Sequence, residues 1–170
     1  MTGDIILQKR NGWIGRFISF FTCSNYVYVG IETAVCTVVY VDWRGKHYTD
    51  ISKWGDDIVV LTPHPALTEG PRKALLQSIK HARIRNYHCA DFVRAMYRQG
   101  AGIDLLPDNS GDTIQPQDLL QSPFLRQYFA GDMSTYIEFE IQNKSGVMMN
   151  VKQTEGGKYD ASSQFVSKRF

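Results

Sequence analysis

Residues 26–42 read YVYVGIETAVCTVVYVD, and this stretch decides the fold. Its two halves, Tyr26–Glu32 and Cys36–Asp42, are rich in β-branched and aromatic residues, which suit the pleated surface of a strand. We therefore predict two paired strands here.

Three further segments predict strands on either side of this pair. Asp4–Gln8 (DIILQ) has the pattern of a short buried strand, and Lys46–Ile51 follows a turn at Gly45. Ile58–Thr62 (IVVLT) is the last of them, and Pro63 ends it because proline cannot donate to a strand ladder. All five of these strands are therefore predicted within the first 62 residues.

Helical spacing of apolar residues predicts the helices. We place amphipathic helices at Trp13–Phe21, at Pro71–Arg83 and from Cys89 to a stop at Gly100, and a short helix within residues 115–129. The apolar stripe predicted for the third of these consists of Cys89, Val93, Met96 and Tyr97.

The C-terminal part alternates strictly between apolar and polar residues over 134–142, STYIEFEIQ. With residues 147–153, VMMNVKQ, this pattern predicts a β-hairpin. Strands first, then helices, then a hairpin favour an α+β domain whose antiparallel sheet packs against helices. We assign residues 1–132 to the main domain, 133–153 to the hairpin extension and 154–170 to a polar tail.

Bulk properties narrow the function classes. The 170 residues have the size of one domain, and a net charge of +2 is too small to predict nucleic-acid binding. Three cysteines (Cys23, Cys36 and Cys89) are too few for a disulfide framework or a zinc cage, so we expect no metal and no cofactor. Without a long apolar run or a secretory signal, we expect the chain to be cytoplasmic as synthesised.

Cys89 stands at the start of the predicted third helix. Unpaired backbone N–H groups and the helix dipole favour negative charge there, and such thiols can have pKa values well below the ~8.5 of a free cysteine. The same N–H groups suit the oxyanion that forms when a carbonyl is attacked. Cys89 is therefore a candidate nucleophile. The competing interpretation is a buried structural cysteine, since cysteine is among the most interior residue types.

Five short motifs follow one another in a characteristic order. They are Gly3–Leu7 (GDIIL), Ser24–Ile31 (SNYVYVGI), Val41–Trp43 (VDW), Cys89–Val93 (CADFV) and Ile114–Leu120 (IQPQDLL). This order resembles the circularly permuted branch of the NlpC-type, papain-like cysteine peptidase superfamily, whose relatives include lecithin retinol acyltransferase. The resemblance spans about Gly3 to Phe129 and implies a permuted papain-like fold with the cysteine at a helix N-terminus.

The resemblance implies roles for three residues, and a fourth, His88, is a candidate from its position in the sequence alone. Cys89 would be the nucleophile, and Asp42 would orient the base. Tyr28 occupies the position where the family carries its histidine base, but a phenol with a reference pKa of about 10 is poorly suited to accept a thiol proton near neutral pH. His88 directly precedes Cys89 and would lower the thiol pKa electrostatically. A solvated histidine at the helix cap is the competing interpretation of His88.

Two functions follow as expectations. The first is a cysteine hydrolase directed at amide bonds of peptidoglycan peptides, or at an acyl or ester substrate. The alternative is a catalytically inactive binding or structural module with this fold, such as a phage infection-machinery or virion component. Tyr28 favours the alternative, and the retained Cys89 favours the first.

Basic residues accumulate between Gly70 and Ala90, where the sequence has no acidic residue. Arg72, Lys73, Lys80 and Arg83 form a predicted contact for an anionic cell-wall or lipid surface. A solvated helix face is the competing interpretation.

Overall fold

Six strands form one antiparallel sheet in the computed structural model, which describes residues 2–9, 26–34, 36–54, 57–83, 88–107 and 113–144. The strands are β1 (Ile5–Lys9), β2 (Tyr26–Ala34), β3 (Thr37–Asp42), β4 (Gly45–Asp50), β5 (Asp57–Pro63) and β6 (Leu125–Asp132). Their order across the sheet is β4-β3-β2-β1-β5-β6. The predicted pair at residues 26–42 is confirmed, with Ile31 opposite Val39, and the α+β class with an antiparallel sheet is confirmed as well.

Two helices cover one face of the sheet. They are α1 (Glu69–His81) and α2 (Cys89–Met96), and a π-helical turn, Tyr97–Ala101, continues α2. Gly102, with φ of 71°, ends this continuation, so the predicted stop at Gly100 was wrong. The buried stripe of α2 packs on residues of β1, β2, β3 and β5 to form the first core cluster, which includes Ile5, Leu7, Val29, Ile31, Val39, Val41, Val59, Leu61, Val93 and Met96.

The opposite face of the sheet carries a second core cluster. Its members are Ile6, Val38, Ile51, Trp54, Ile58, Val60, Phe129, Met133 and Tyr136. Met133 and Tyr136 belong to α3 (Met133–Lys144), which packs on this face beside β6. The sheet is therefore covered on both faces, by α1 and α2 on one and by α3 on the other. None of the helices in the described part of the chain has the length and apolar character needed to cross a bilayer.

The predicted C-terminal hairpin was wrong in its first half, because residues 133–144 form α3. Asp132 caps the start of this helix: its carboxylate accepts hydrogen bonds from the hydroxyls of Ser134 and Thr135 and from the Thr135 backbone N–H. These bonds lower the pKa of Asp132 to about 2. The buried residues Tyr136 and Glu140 are four apart, which places them on one helical face. The second predicted strand, 147–153, lies outside the described residues.

The predicted short helix within residues 115–129 is only partly correct. A 3₁₀ helix spans Pro116–Gln121, and β6 already begins at Leu125. Backbone N–H of Gln115 donates to the Asp118 carboxylate at 2.8 Å and caps this helix. The predicted helix at residues 13–21 lies outside the described residues.

Two buried tyrosines differ in whether their hydroxyl is hydrogen-bonded. Replacing each with phenylalanine is expected to change the free energy of unfolding in opposite directions. The Tyr97 hydroxyl donates to the buried Gly3 carbonyl, whereas the Tyr136 hydroxyl has no hydrogen-bond partner among the described residues. An unsatisfied buried hydroxyl costs about 1 kcal/mol or more, so Tyr136→Phe should raise the free energy of unfolding by roughly that amount. Tyr97→Phe should lower it by about 1–2 kcal/mol. Urea unfolding of both variants measures this, and equal destabilisation by both would contradict it.

Candidate functional site

Cys89 is the first residue of α2, and His88 is the N-cap. The His88 side chain is exposed and makes no capping hydrogen bond, while its carbonyl accepts the Phe92 N–H at 2.9 Å. The Cys89 thiol is half-buried and packs against the first core cluster. The predicted location of the thiol at a helix N-terminus is therefore confirmed.

The electrostatics of this thiol differ from the sequence expectation. Burial raises the pKa of Cys89, and it outweighs the backbone groups of Val29, Ala90 and Cys89 itself, which act to lower it. Asp91 in the first turn raises the pKa further. The backbone groups at the helix N-terminus therefore act to lower the pKa of Cys89, as expected, but burial raises this pKa by more.

Asp91 also anchors the downstream motif. Its carboxylate accepts the backbone N–H of Ile114 at 3.1 Å. Ile114 and Leu119 are buried in the first core cluster. The segment IQPQDLL therefore lies beside the start of α2, on the side of the sheet that carries Cys89.

Asp42 does orient a histidine, but the histidine is His47 of β4. Nε2 of His47 lies 2.8 Å from Oδ1 of Asp42, which also accepts the Arg44 N–H at 2.7 Å. Burial is the largest single influence on the pKa of Asp42 and acts to raise it, yet the hydrogen bonds from Arg44, His47 and Gly45 together with the nearby His47 hold this pKa below the usual range. The His47 ring stacks on Tyr40 with centroids 5.3 Å apart.

Sequence reasoning assigned no chemistry to His47. The signal that locates it is the hairpin register: Asp42 pairs with Gly45 and Tyr40 pairs with His47, so Asp42 and His47 are diagonal neighbours on one face. That register follows from the two-residue turn at Trp43 and Arg44, which composition alone does not specify.

Tyr28 lies on the same face as this pair. Its ring packs against the second core cluster, with its centroid 5.8 Å from that of Tyr40. Tyr26 packs instead against the first core cluster, because β2 is irregular between the two tyrosines: Gln8 pairs with Tyr28 and Lys9 with Tyr26. Burial raises the pKa of Tyr26.

The described residues therefore fall into two groups separated by the sheet. Cys89 and Tyr26 pack on the face covered by α1 and α2. Tyr28 packs on the other face, together with Tyr40 and its stacking partner His47. The four residues singled out from the sequence (Cys89, Asp42, Tyr28 and His88) are not brought together in one cluster.

The predicted basic contact is smaller than its four residues suggest. Arg72 donates to the Leu67 carbonyl at 3.0 Å, and Lys73 pairs with Glu69 at 2.6 Å. Lys80 and Arg83 are exposed, and neither forms an ion pair with another described residue.

Metal-ligating side chains do not converge in the described part of the chain. No group of three or more histidine, cysteine, aspartate or glutamate residues there has the arrangement needed to hold a metal ion. This includes the buried carboxyls of Asp4, Glu32 and Glu140. Burial raises the pKa of both Asp4 and Glu32.

Comparisons with known proteins identify the fold and leave the activity open. No protein-family model matches the chain. No curated protein matches it. Among solved structures, it is similar to one described as metalloprotein yiiX from Escherichia coli O157:H7, DUF1105. The TM-score is 0.60 at 20% sequence identity, and the match covers 76% of this chain and 97% of that one. At this identity the likeness shows the shared fold alone.

Proposed function

We propose that this chain is a peptidoglycan-binding module that has the permuted papain-like fold and does not hydrolyse its ligand. One observation carries the proposal: Cys89 packs on one face of the sheet, and the Asp42–His47 pair is associated with the aromatic residues of the other. Peptidoglycan peptides are the ligand class implied by the family resemblance.

The chemistry of thiol catalysis supports the inactive alternative. A nucleophilic cysteine needs a base within hydrogen-bond reach, about 2.6–3.2 Å, or a lowered pKa that supplies thiolate directly. Burial raises the pKa of Cys89 instead. The two phenols of the first core cluster, Tyr26 and Tyr97, also have raised pKa values and are no bases near neutral pH.

The β3–β4 hairpin supports a binding role. Trp43 at its tip is 86% exposed, and the Arg44 guanidinium lies 4.6 Å from the centre of its ring. Tyr48 on the edge strand β4 is 53% exposed. Large exposed aromatic residues are the usual anchors of binding surfaces.

The direct test is sedimentation and digestion with purified insoluble peptidoglycan. Wild type and Cys89→Ala should pellet with it to the same extent, and neither should release soluble peptides. Trp43→Ala should weaken the pelleting. Lys53→Ala, at an exposed position of the 3₁₀ turn Ile51–Lys53, is the surface control and should pellet like wild type. Release of peptides by wild type but not by Cys89→Ala would refute the proposal.

Alkylation of Cys89 gives an independent prediction. Because burial raises its pKa, the thiolate forms only at high pH, and half-maximal reaction with iodoacetamide is expected above the ~8.5 of a free thiol. A Cys23→Ser, Cys36→Ser background leaves Cys89 as the reporting thiol. The pH profile is measured by mass spectrometry of the intact chain. Half-reaction below about pH 7.5 would show the activated thiolate of a working nucleophile.

A second candidate function is hydrolysis with Cys89 as the nucleophile. It is favoured by the backbone groups of Val29, Ala90 and Cys89 that approach the sulfur. Groups in this arrangement suit an oxyanion. If the chain is a hydrolase that lost its base, Tyr26→His should restore peptide release, because residue 26 packs on the thiol's side. Tyr28→His should not, because residue 28 packs on the other.

A further inference from the structure

A cavity of about 500 Å³ lies between the C-terminal half of α1 and the π-helical turn after α2. Its lining includes Ala74 and Ala82 as apolar surface, and Gln77, Gln99, His81 and Arg83 as polar groups. The volume falls in the range typical of small-molecule sites, roughly 300–1,000 Å³.

The described lining of the cavity carries positive charge and no negative charge. None of its described residues is acidic, and Arg83 forms no ion pair with any described residue. An unpaired guanidinium at the edge of a cavity offers a bidentate site for a carboxylate.

The C-terminal end of α1 would ordinarily repel an anion, because its last carbonyls point outward. Here the Lys46 ammonium, reaching across from β4, donates to the carbonyls of Ile79 and Lys80 at 2.7 and 3.0 Å. These carbonyls are therefore occupied, and the ammonium adds positive charge at the C-terminal end of α1.

The neutral polar groups define the rest of the ligand. Nδ1 of His81 lies 2.9 Å from the Gln77 carbonyl, and since a carbonyl only accepts, Nδ1 carries the proton. In the neutral ring, Nε2 is then an acceptor for a ligand N–H. The side-chain amides of Gln77 and Gln99 supply N–H donors for a ligand carbonyl.

We propose that this cavity binds an N-acylated amino acid with a free carboxylate. Arg83 takes the carboxylate, a glutamine amide donates to the acyl carbonyl, and the apolar side chain of the ligand lies against Ala74 and Ala82. The same chemistry is offered by a small free molecule and by the C-terminal residue of a peptide. The inference is independent of whether the chain binds peptidoglycan.

The test is a two-dimensional NMR titration of the full chain with N-acetylleucine and with N-acetylleucinamide, its neutral counterpart. The side-chain amide signals of Gln77 and Gln99 should shift and saturate with the carboxylate. N-acetylleucinamide should bind at least about tenfold more weakly, since the hydrogen bonds between Arg83 and a charged carboxylate are lost. A third titration uses the peptide acetyl-Gly-Ser-Gly-Leu: tighter binding than N-acetylleucine identifies a peptide terminus as the ligand, and weaker binding identifies a small molecule.

Variants separate the site from general surface charge. Arg83→Gln should weaken N-acetylleucine binding about tenfold. Arg83→Lys should retain only part of the wild-type affinity, because lysine lacks the planar guanidinium that pairs with both carboxylate oxygens. Lys80→Gln removes an equal charge from the same end of α1 but lies outside the lining, and should change affinity less than about twofold. Equal affinity for N-acetylleucine and its amide, no saturable shift, or an equal loss in Lys80→Gln and Arg83→Gln would each overturn the proposal. Unchanged melting of the exposed Arg83 variants excludes misfolding as the cause.

Discussion

Replacing Gly30 with alanine is expected to lower the free energy of unfolding by about 3 kcal/mol or more. A Cβ atom at this position would lie 2.5 Å from the carbonyl oxygen of Val39 and 2.6 Å from Cγ1 of Val38. The ring of Trp54 would be only 3.0 Å away. Because the nearest atom belongs to the backbone of β3, the neighbouring strands β2 and β3 would have to separate to admit one methyl group.

Thermal unfolding measures this effect, and a loss of that size corresponds to a fall in Tm of about 6–12 °C for a chain of this length. Gly131→Ala is the matched strand control: there the nearest atom, at 3.1 Å, is the tip of the Phe129 side chain, which can move. A Gly30→Ala protein as stable as the Gly131→Ala protein would contradict the prediction. Gly30 therefore has a role in packing that is independent of any catalysis.

Replacing Gly100 with alanine is expected to cost a similar amount, about 3 kcal/mol. The added Cβ would lie 2.5 Å from the Cα atom of Leu75 and 2.9 Å from the carbonyl oxygen of Ala74. Both atoms are backbone atoms of α1, so the helix has to move away from the π-helical turn. Since the cavity lies between these two elements, the affinity for N-acetylleucine should fall in the same variant.

Gly70→Ala is the matched helical control. Gly70 lies in the first turn of α1, and apart from its two chain neighbours and the backbone of its own helix no atom is found within 4 Å of its Cβ position. Alanine there gains helix propensity, but its Cβ meets the ring of Pro71, so the two effects oppose each other and the free energy of unfolding should change by less than about 1 kcal/mol. Urea unfolding of both variants compares them, and an equal loss in both would show that contact distance does not decide the outcome.

The strands and the two helices before residue 100 follow from composition and periodicity, because each has one apolar face or a continuous apolar run. The helix α3 does not. Ile137, Phe139 and Ile141 alternate as a strand would, yet Asp132 followed by Ser134 and Thr135 is a helix start. Capping at the preceding residue and burial on the second core cluster overrode the local alternation.

The candidate site shows a different limit of sequence reasoning. The thiol at the start of α2 is predictable, since a helix start can be located from the sequence. Its pKa is not, because the dominant contribution is burial by residues distant in the chain. The partner of Asp42 depends on the pairing register of β3 and β4, which is a property of the folded hairpin.

The irregularity in β2 decides which phenol of this strand lies on the thiol's side of the sheet. Val27 is the extra residue between Tyr26 and Tyr28, so the side chain of Tyr26 is inverted relative to an unbroken ladder. A variant with regular pairing at this position would place Tyr26 and Tyr28 on one face, away from Cys89, because side chains two residues apart in a regular strand share a face. Substitutions at Asp42 or His47 leave this arrangement unchanged.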